Sequence, residues 1–178
     1  MGFSAKAAPG YKGHAMGSMY DQDLVRWSEE QARALRAAAD AGWNAPIDWT
    51  NVAEEIESLG KSDRRALASH IAIVMEHLLK LQASPSSMPA RGWEDSVLRA
   101  RGEIEQLLAD SPSLRGEIAG MITKGLSRVR ALVRVGLKDY GEQPLIDIDE
   151  VTYTEAQILG DWMPDRAAPP RAATSGPD

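Results

Sequence analysis

The segment from Ser62 to about Ala83 carries the pattern that most restricts how this chain can fold. Its apolar residues recur every three or four positions and share a narrow arc of a helical wheel. The residues on this arc are Leu67, Ile71, Val74, Leu78 and Leu81. Further apolar residues widen the arc until most of the circumference is apolar. A helix of this kind is usually central, so the sequence predicts a core helix on which the rest of the chain packs.

Four other long segments and one short segment also combine helical periods with capping residues. Their predicted boundaries are roughly 21–41, 49–59, 93–109, 111–137 and, for the short helix, 154–159. We expect Asp21 to cap the first of them and Gly60 to end the second. Thr152 with Glu155 is expected to cap the short helix. The sequence therefore predicts an all-α fold, a helical bundle of about five main helices plus a short C-terminal helix.

Length and composition predict one domain with unstructured ends. A chain of 178 residues fits one domain better than two. Residues 1–19 are rich in Gly, Ala and Ser and are predicted to form a flexible leader. Residues 165–178 contain Pro-Pro and Ser-Gly-Pro and are predicted to form a disordered tail. The single helical domain is expected to span residues 20–164.

Composition also excludes several classes of protein. No apolar run approaches the ~20 residues that a membrane-spanning helix needs, and no cysteine is present for disulfides or thiolate sites. The N-terminus lacks the pattern of a secretory signal, so we expect a cytoplasmic location and no membrane contact. The net charge of −6 argues against indiscriminate nucleic-acid binding, although a local basic patch could still exist.

A set of short motifs spread over most of the chain resembles a known family. The motifs include Tyr20-Asp-Gln-Asp, Asp48-Trp49, the run from Asn51 to Gly60, His77-Leu-Leu-Lys80 and Tyr153-Thr-Glu-Ala-Gln. Together they are similar to the bacterial domain-of-unknown-function 29 family over about residues 20–164. This resemblance implies a helical fold and a bacterial origin, and it implies no activity. The segment 84–89 departs from the family pattern, which has a longer and more aromatic stretch there.

Two histidines and a carboxylate form the first candidate catalytic site. Glu55, His70 and His77 all lie at the edge of an apolar helix face. His70 and His77 are two turns apart, about 10 Å along the axis, which is too far for one metal ion. Either histidine could pair with a carboxylate such as Glu55, Asp21 or Asp48, as an acid–base couple or partial metal site. The favoured alternative is a core histidine that is satisfied by a hydrogen bond and has no function.

Arg65 and His70 offer a second candidate, because their spacing is similar to that found in the HEPN helical ribonucleases. In those enzymes the two residues act from paired helices across a dimer. On an ideal helix this spacing separates the two side chains by about 140°. Ala66 also replaces the polar residue that usually follows the arginine. Such a spacing arises easily by chance, so a ribonuclease is not the favoured interpretation.

The predicted fifth helix carries a basic exterior opposite its apolar stripe. It contains no acidic residue between Glu117 and Asp139. Its cations are Lys124, Arg128, Arg130, Arg134 and Lys138. They could dock RNA, DNA or an acidic protein, but the overall negative charge favours a merely solvated face. The buried stripe of the same helix is expected to include Met121 and Leu132.

Motifs that would identify a cofactor or a nucleophile are missing from the sequence. The chain contains no Glu-x-x-His pair, no phosphate-binding glycine loop and no Gly-x-Ser-x-Gly elbow. We therefore predict no cofactor and no metal. Trp43 and Trp162 lie in loop-like segments, where burial is favoured over an exposed recognition patch.

The sequence leaves the biochemical function unassigned between two hypotheses. The preferred one is a non-catalytic interaction module that binds an unknown protein partner, or a second copy of itself, through a helical face. The alternative is a nucleic-acid-acting protein or a metal-dependent hydrolase that uses a His–carboxylate pair and the basic helix. Enzymatic activity and nucleic-acid binding are both left open, and neither is favoured.

Overall fold

The computed structural model describes residues 16–43 and 46–165, and all regular secondary structure in these two stretches is helical. The α-helices are α1 (Met16–Gln22), α2 (Leu24–Asp40), α3 (Trp49–Ala83), α4 (Ala90–Asp110), α5 (Ile118–Asp139) and α6 (Glu155–Leu159). A 3-10 helix, Pro112–Glu117, precedes α5, where the sequence predicted continuous α-helix. The described chain contains no strand, so the predicted all-α fold class is confirmed.

The helices fall into two compact units, divided after Lys61 within α3. The first unit holds α1, α2 and the beginning of α3, and the second holds the rest of α3 and all later helices. Most of the predicted leader and tail, residues 1–15 and 166–178, lies outside the described residues. Residues 16–19, also assigned to the leader, belong to α1. None of the described helices is both long enough and apolar enough to cross a membrane.

In the first unit, α2 begins after Asp23 and not at the predicted Asp21. The Asp23 carboxylate accepts a hydrogen bond of 2.9 Å from the backbone amide of Arg26, as an N-cap does. Asp21 lies inside the short helix α1, so the amide groups that need a cap are those that follow Asp23. The buried residues of α2 are Val25, Ser28 and Ala32.

Gly60 lies inside α3 and does not end a helix, so the second and third predicted helices are one. A Cβ atom at this position would lie 2.6 Å from the Ser28 hydroxyl oxygen and 3.5 Å from Val25. The glycine therefore permits close contact with α2 within the first unit. Glycines that end helices commonly adopt positive φ, and in the described chain only Gly42 and Gly141 do so.

The second unit is built around the predicted core helix, which is confirmed as the C-terminal part of α3. Four of the predicted inward residues have no exposed surface and the fifth is 3% exposed. These residues are Leu67, Ile71, Val74, Leu78 and Leu81. Burying each such side chain contributes roughly 1.5–3 kcal/mol. The helices α4 and α5 add further buried residues, among them Val97, Ile104, Ile118, Val129 and Val133.

A buried arginine holds the end of the described chain against α4. The Arg101 guanidinium donates hydrogen bonds to the backbone carbonyls of Gln157 (2.7 Å), Ile158 (2.9 Å) and Trp162 (2.7 Å). The arginine is 9% exposed, and burial lowers the pKa of its guanidinium below the ordinary value. Because the last carbonyls of a helix have no partner within it, this one side chain satisfies groups that burial would leave unpaired.

Two smaller predictions are corrected by local geometry. The short helix α6 is capped by Thr154 and Gln157, in a reciprocal capping box, and not by Thr152 with Glu155. Trp43 is 55% exposed, so its predicted burial is wrong, whereas Trp162 is half-buried. For the cap, the sequence offers two boxes of the same pattern, one starting at Thr152 and one at Thr154, and the fold uses the second.

Candidate functional site

Both histidines lie on the side of α3 that meets α4 in the second unit. His70 and His77 line a shallow groove of about 350 Å³ together with Arg99 and Glu103 of α4. The Nδ1 atom of His77 is buried and has no hydrogen-bond partner among the described residues. Burial, followed by the positive charge of Lys80, holds the pKa of His77 below its ordinary value. The imidazole of His77 is therefore neutral near pH 7.

The predicted His–carboxylate pair is not assembled in the part of the chain that the structure describes. Neither histidine forms an ion pair there, and Glu55 is an exposed residue of the first unit. No three His, Asp or Glu side chains in that part of the chain are grouped so as to hold a metal ion. The alternative interpretation, a core histidine satisfied by a hydrogen bond, is also not observed for Nδ1 of His77, because that atom has no partner among the described residues.

Arg65 and His70 lie in different grooves. Arg65 lines a groove between α3 and α5, whereas His70 lines the groove between α3 and α4. The angular separation expected from their spacing thus directs the two side chains to different neighbouring helices. The structure does not bring the two residues of the ribonuclease hypothesis to one site.

The five cations of α5 do not form one continuous basic face. The Arg130 guanidinium donates a hydrogen bond of 2.7 Å to the carbonyl of Val151. The Arg134 guanidinium forms an ion pair of 2.7 Å with Asp149. Both partners belong to the segment that follows α5, so these two arginines are engaged within the chain. Lys138 is exposed near the C-terminal end of the helix.

Two further cations of α5 border the groove between α3 and α5, which we call the basic groove. Its main lining residues are Arg65, Ser69, Ile73 and Glu76 of α3 and Met121, Lys124, Arg128 and Leu132 of α5. The cavity volume is about 570 Å³. Arg65, Lys124 and Arg128 are exposed, and none of the three forms an ion pair with another described residue. The structure thus brings together three residues that the sequence analysis placed in two separate candidate sites.

Leu132 supplies apolar surface to the basic groove, although the sequence predicted its burial. It is 49% exposed, whereas Val129 and Val133 are 1% and 0% exposed. Val129, Val133 and Leu137 recur every four positions and mark the centre of the buried face, and Leu132 lies about 100° from Val133. That angular offset is the signal that could have identified Leu132 as a surface residue. The predicted stripe was too wide because it counted every apolar residue equally.

Glu76 is the single carboxylate among the residues that line the basic groove. It forms an ion pair of 2.6 Å with Lys80, one helical turn away on α3. Because Lys80 neutralises this carboxylate, the positive charges of Arg65, Lys124 and Arg128 are not balanced inside the groove. The arrangement is an apolar floor with an uncompensated basic rim. It can bind a ligand of opposite charge, and it contains no histidine or cysteine nucleophile.

Comparisons with known proteins agree with this picture of the fold. A family model described as a domain of unknown function, DUF29, matches residues 19–162. A solved structure, an alpha-helical protein of unknown function from Rhodospirillum rubrum, is 22% identical, with a TM-score of 0.62. The alignment covers 80% of this chain and 89% of that chain, and at this identity it shows the fold alone. A search of curated proteins found no significant match.

Proposed function

This chain belongs to the family described as domain of unknown function DUF29, and from that premise we propose that it is a non-catalytic binding module. In this proposal the basic groove docks a partner protein through an acidic amphipathic helix. The family description carries no activity, so the proposal rests on the chemistry of the groove. A bacterial, cytoplasmic setting is part of the same proposal.

The floor of the groove has the chemistry that an amphipathic helix requires. Such a helix places apolar side chains, spaced three and four positions apart, on an apolar surface. Ile73, Met121 and Leu132 provide that surface, and Leu132 has the largest exposed fraction of the three. Covering the exposed half of Leu132 would contribute about 1 kcal/mol, which is about half of the ~1.5–3 kcal/mol for burying a whole leucine side chain. The floor therefore favours a partner that brings its own apolar stripe.

The rim of the groove specifies the charge of the partner, and this observation carries the proposal. Arg65 lies on the α3 side, and Lys124 and Arg128 lie one turn apart on the α5 side. None of them is paired with another described residue, and Glu76 is neutralised by Lys80. Carboxylates that flank an apolar stripe would meet cations on both sides of the groove. An acidic helix is thus the partner that complements the floor and the rim together.

Nucleic acid fits the same surface less well. Binding to a phosphate backbone needs a series of free cations, and Arg130 and Arg134 are engaged within the chain. An apolar floor also has no counterpart in a phosphate backbone, and the protein carries a net charge of −6. The acidic protein helix is therefore the occupant that we propose, and nucleic acid is an outcome that the experiment can return.

The experiment is a selection of random 16-residue displayed peptides on the full-length protein. Peptides are counter-selected on the variant Lys124→Glu/Arg128→Glu, so that only binders that need the rim survive. The expected survivors carry an apolar stripe with i, i+3, i+4 and i+7 spacing and a net negative charge. Survivors without an acidic bias, or a library that does not distinguish the two proteins, would contradict the proposal.

The affinity of one selected peptide is then measured in solution for proteins with single substitutions in the groove. Arg128→Glu is expected to weaken binding by about tenfold, because it replaces attraction by repulsion at the rim. Arg99→Glu changes another exposed arginine, in the groove between α3 and α4, and is the control that should leave binding unchanged. A single-stranded 20-nucleotide RNA is tested in the same assay. If it binds more tightly than every peptide and its affinity falls steeply with salt, the partner is nucleic acid and not an acidic helix.

A further inference from the structure

A second cavity lies at the other end of α5, away from the basic groove, and we call it the apolar cleft. It is lined mainly by Met88, Trp93, Val133, Gly136, Leu137 and Tyr140. These residues come from the loop before α4, the first turn of α4, the last turns of α5 and, for Tyr140, the position directly after α5. The cavity volume is about 480 Å³, within the range of about 300–1,000 Å³ that is typical of small-molecule sites.

Hydrogen bonds hold the walls of the apolar cleft in place without a ligand. The Ser84 hydroxyl donates a bond of 2.6 Å to the Glu142 carboxylate, which joins the loop before α4 to the segment after α5. The Leu145 backbone amide donates a bond of 2.8 Å to the carbonyl of Ala83, the last residue of α3. These bonds tie together the chain segments that carry the walls of the cleft, which lowers the cost of ordering them when a ligand binds.

The charges at the cleft are engaged within the protein. Lys80 and Glu142 are the two charged residues that line it. Lys80 is paired with Glu76, and Glu142 accepts the hydrogen bond from Ser84. An anionic ligand would find no free cation and would face the Glu142 carboxylate. A cationic ligand would lose its hydration on entering an apolar cleft whose single carboxylate already accepts the hydrogen bond from Ser84. The lining thus selects a ligand without charge.

Large apolar side chains at the mouth of the cleft remain open to solvent. Met88 is 93% exposed and Tyr140 is 85% exposed, and Trp93 is half-buried. Methionine adapts its shape to different ligands, and aromatic rings supply flat apolar surface. A bound molecule would be covered by these side chains as well as by the cleft floor of Val133 and Leu137.

From these walls, charges and rim residues we propose that the apolar cleft is a binding site for an uncharged, largely apolar small molecule. The proposal is independent of the proposed function, because the two cavities lie along different stretches of α5 and share none of their lining residues. Either proposal can fail while the other holds.

The experiment is a fluorescence titration of the full-length protein with N-phenyl-1-naphthylamine, an uncharged aromatic probe. The comparison probe is 1-anilinonaphthalene-8-sulfonate, which has a similar aromatic body and one negative charge. The uncharged probe is expected to bind saturably, with one site per chain and at least about threefold more tightly than the anionic probe. No saturable binding, or preference for the anionic probe, would overturn the proposal.

Two glycine substitutions locate the bound probe. A Cβ atom at Gly136 would meet no atom within 4 Å, so the side chain of Gly136→Phe can fill the cleft without forcing the packed core apart. It is expected to weaken binding of the uncharged probe by about tenfold or more. Gly120→Phe is the matched control, because Gly120 lies on the same helix in equally open surroundings and should leave binding unchanged.

If the Gly136→Phe and Gly120→Phe proteins bind the uncharged probe with equal affinity, the probe binds elsewhere and the proposed site is wrong. If Gly136→Phe does not fold, Tyr140→Ala at the exposed rim serves as the second variant. Removing this ring should weaken binding of the uncharged probe by about threefold, because apolar cover of the ligand is lost. An unchanged affinity for the Tyr140→Ala protein in that case would count equally against the site.

Discussion

Glu76 and Lys80 form an ion pair of 2.6 Å across one turn of α3, and the two partners line different cavities. Glu76 faces the basic groove, and Lys80 faces the apolar cleft. The pair removes the only carboxylate charge from the groove lining and the only cation charge from the cleft lining. One turn of α3 therefore neutralises one charged residue in the lining of each cavity.

Breaking this pair should change the ligand preference of the apolar cleft. In Glu76→Gln, Lys80 loses its partner and its charge acts on the cleft, so binding of 1-anilinonaphthalene-8-sulfonate should strengthen relative to the uncharged probe. A gain of about 1.4- to fivefold is expected, from the ~0.2–1 kcal/mol of a partly exposed ion pair. Fluorescence titration measures the ratio of the two affinities. The double variant Glu76→Gln/Lys80→Gln should lose this gain, and a ratio that is unchanged in the single variant would contradict the argument.

Removing the Arg101 guanidinium should destabilise the protein strongly. Arg101→Met leaves three backbone carbonyls, those of Gln157, Ile158 and Trp162, without their donor. Hydrogen bonds to a charged group contribute about 1.5–3 kcal/mol each at most and are not additive, so a loss of roughly 2–4 kcal/mol in unfolding free energy is expected. Arg101→Lys should recover part of it, since one ammonium cannot span three acceptors. Urea denaturation measures the loss.

The exposed residue Arg99 provides the control for Arg101, two positions away on the same helix. Arg99→Met should change the unfolding free energy by no more than about 0.5 kcal/mol, as is usual for surface substitutions. Equal losses for the Arg99 and Arg101 variants would mean that the three carbonyl bonds do not stabilise the end of the described chain.

Adding a methyl group at Gly60 should destabilise the first unit. The new Cβ of Gly60→Ala would lie 2.6 Å from the Ser28 hydroxyl oxygen, so one of the two must move. Overpacking of this kind costs about 1–3 kcal/mol, more than the helix-propensity gain of up to ~1 kcal/mol from replacing glycine by alanine. Ser28→Ala removes the clashing oxygen, so the double variant should be more stable than Gly60→Ala alone. Thermal and urea unfolding of the four proteins form the double-mutant cycle.

Gly120→Ala, on α5, provides a comparison in which the added methyl group causes no clash. Its added Cβ meets no atom within 4 Å, so only the propensity gain remains and stability should rise. A Gly60→Ala protein that is stabilised as much as Gly120→Ala would show that the close contact in the first unit is not tight.

Acidification should lower stability partly through His77. Its pKa in the folded protein lies below the ordinary value of 6.5, because burial and Lys80 disfavour the charged imidazole. The unfolded chain therefore binds a proton more readily, and stability is lost as pH falls from about 6.5 towards the lowered pKa. His77→Gln should flatten the dependence of unfolding free energy on pH between about 5 and 7.5. Urea titrations at several pH values measure it, and an unchanged slope would refute the assignment.

The contribution of Asp63 to the pH dependence of stability can be distinguished from that of His77, because it has the opposite sign and lies at lower pH. Burial, and then the charge of Asp110, raise the pKa of Asp63 above its ordinary value of 3.8. Its contribution to stability is present at low pH and is lost as pH rises through that region. Its effect would therefore oppose the trend from His77 and be greatest at more acidic pH.

The sequence by itself determined the all-α fold class, the core helix and most helix positions. These properties follow from local rules, because apolar periodicity and capping depend on residues within a few turns of one another. Leu67, Ile71, Val74 and Leu78 could be placed in the core for this reason, and all four are fully buried. The sequence also contained the angular offset that separates Arg65 from His70.

Tertiary structure alone decided which residues from distant parts of the sequence lie next to each other. The close contact of Gly60 with Ser28, the three carbonyl bonds of Arg101 and the meeting of Arg65 with Lys124 and Arg128 all join distant parts of the sequence. Such contacts depend on how helices pack, and a single helical period carries no information about its neighbour. The five cations of α5 were visible in the sequence. Only packing showed that two of them, Arg130 and Arg134, bond to the segment after α5, whereas Lys124 and Arg128 border a groove.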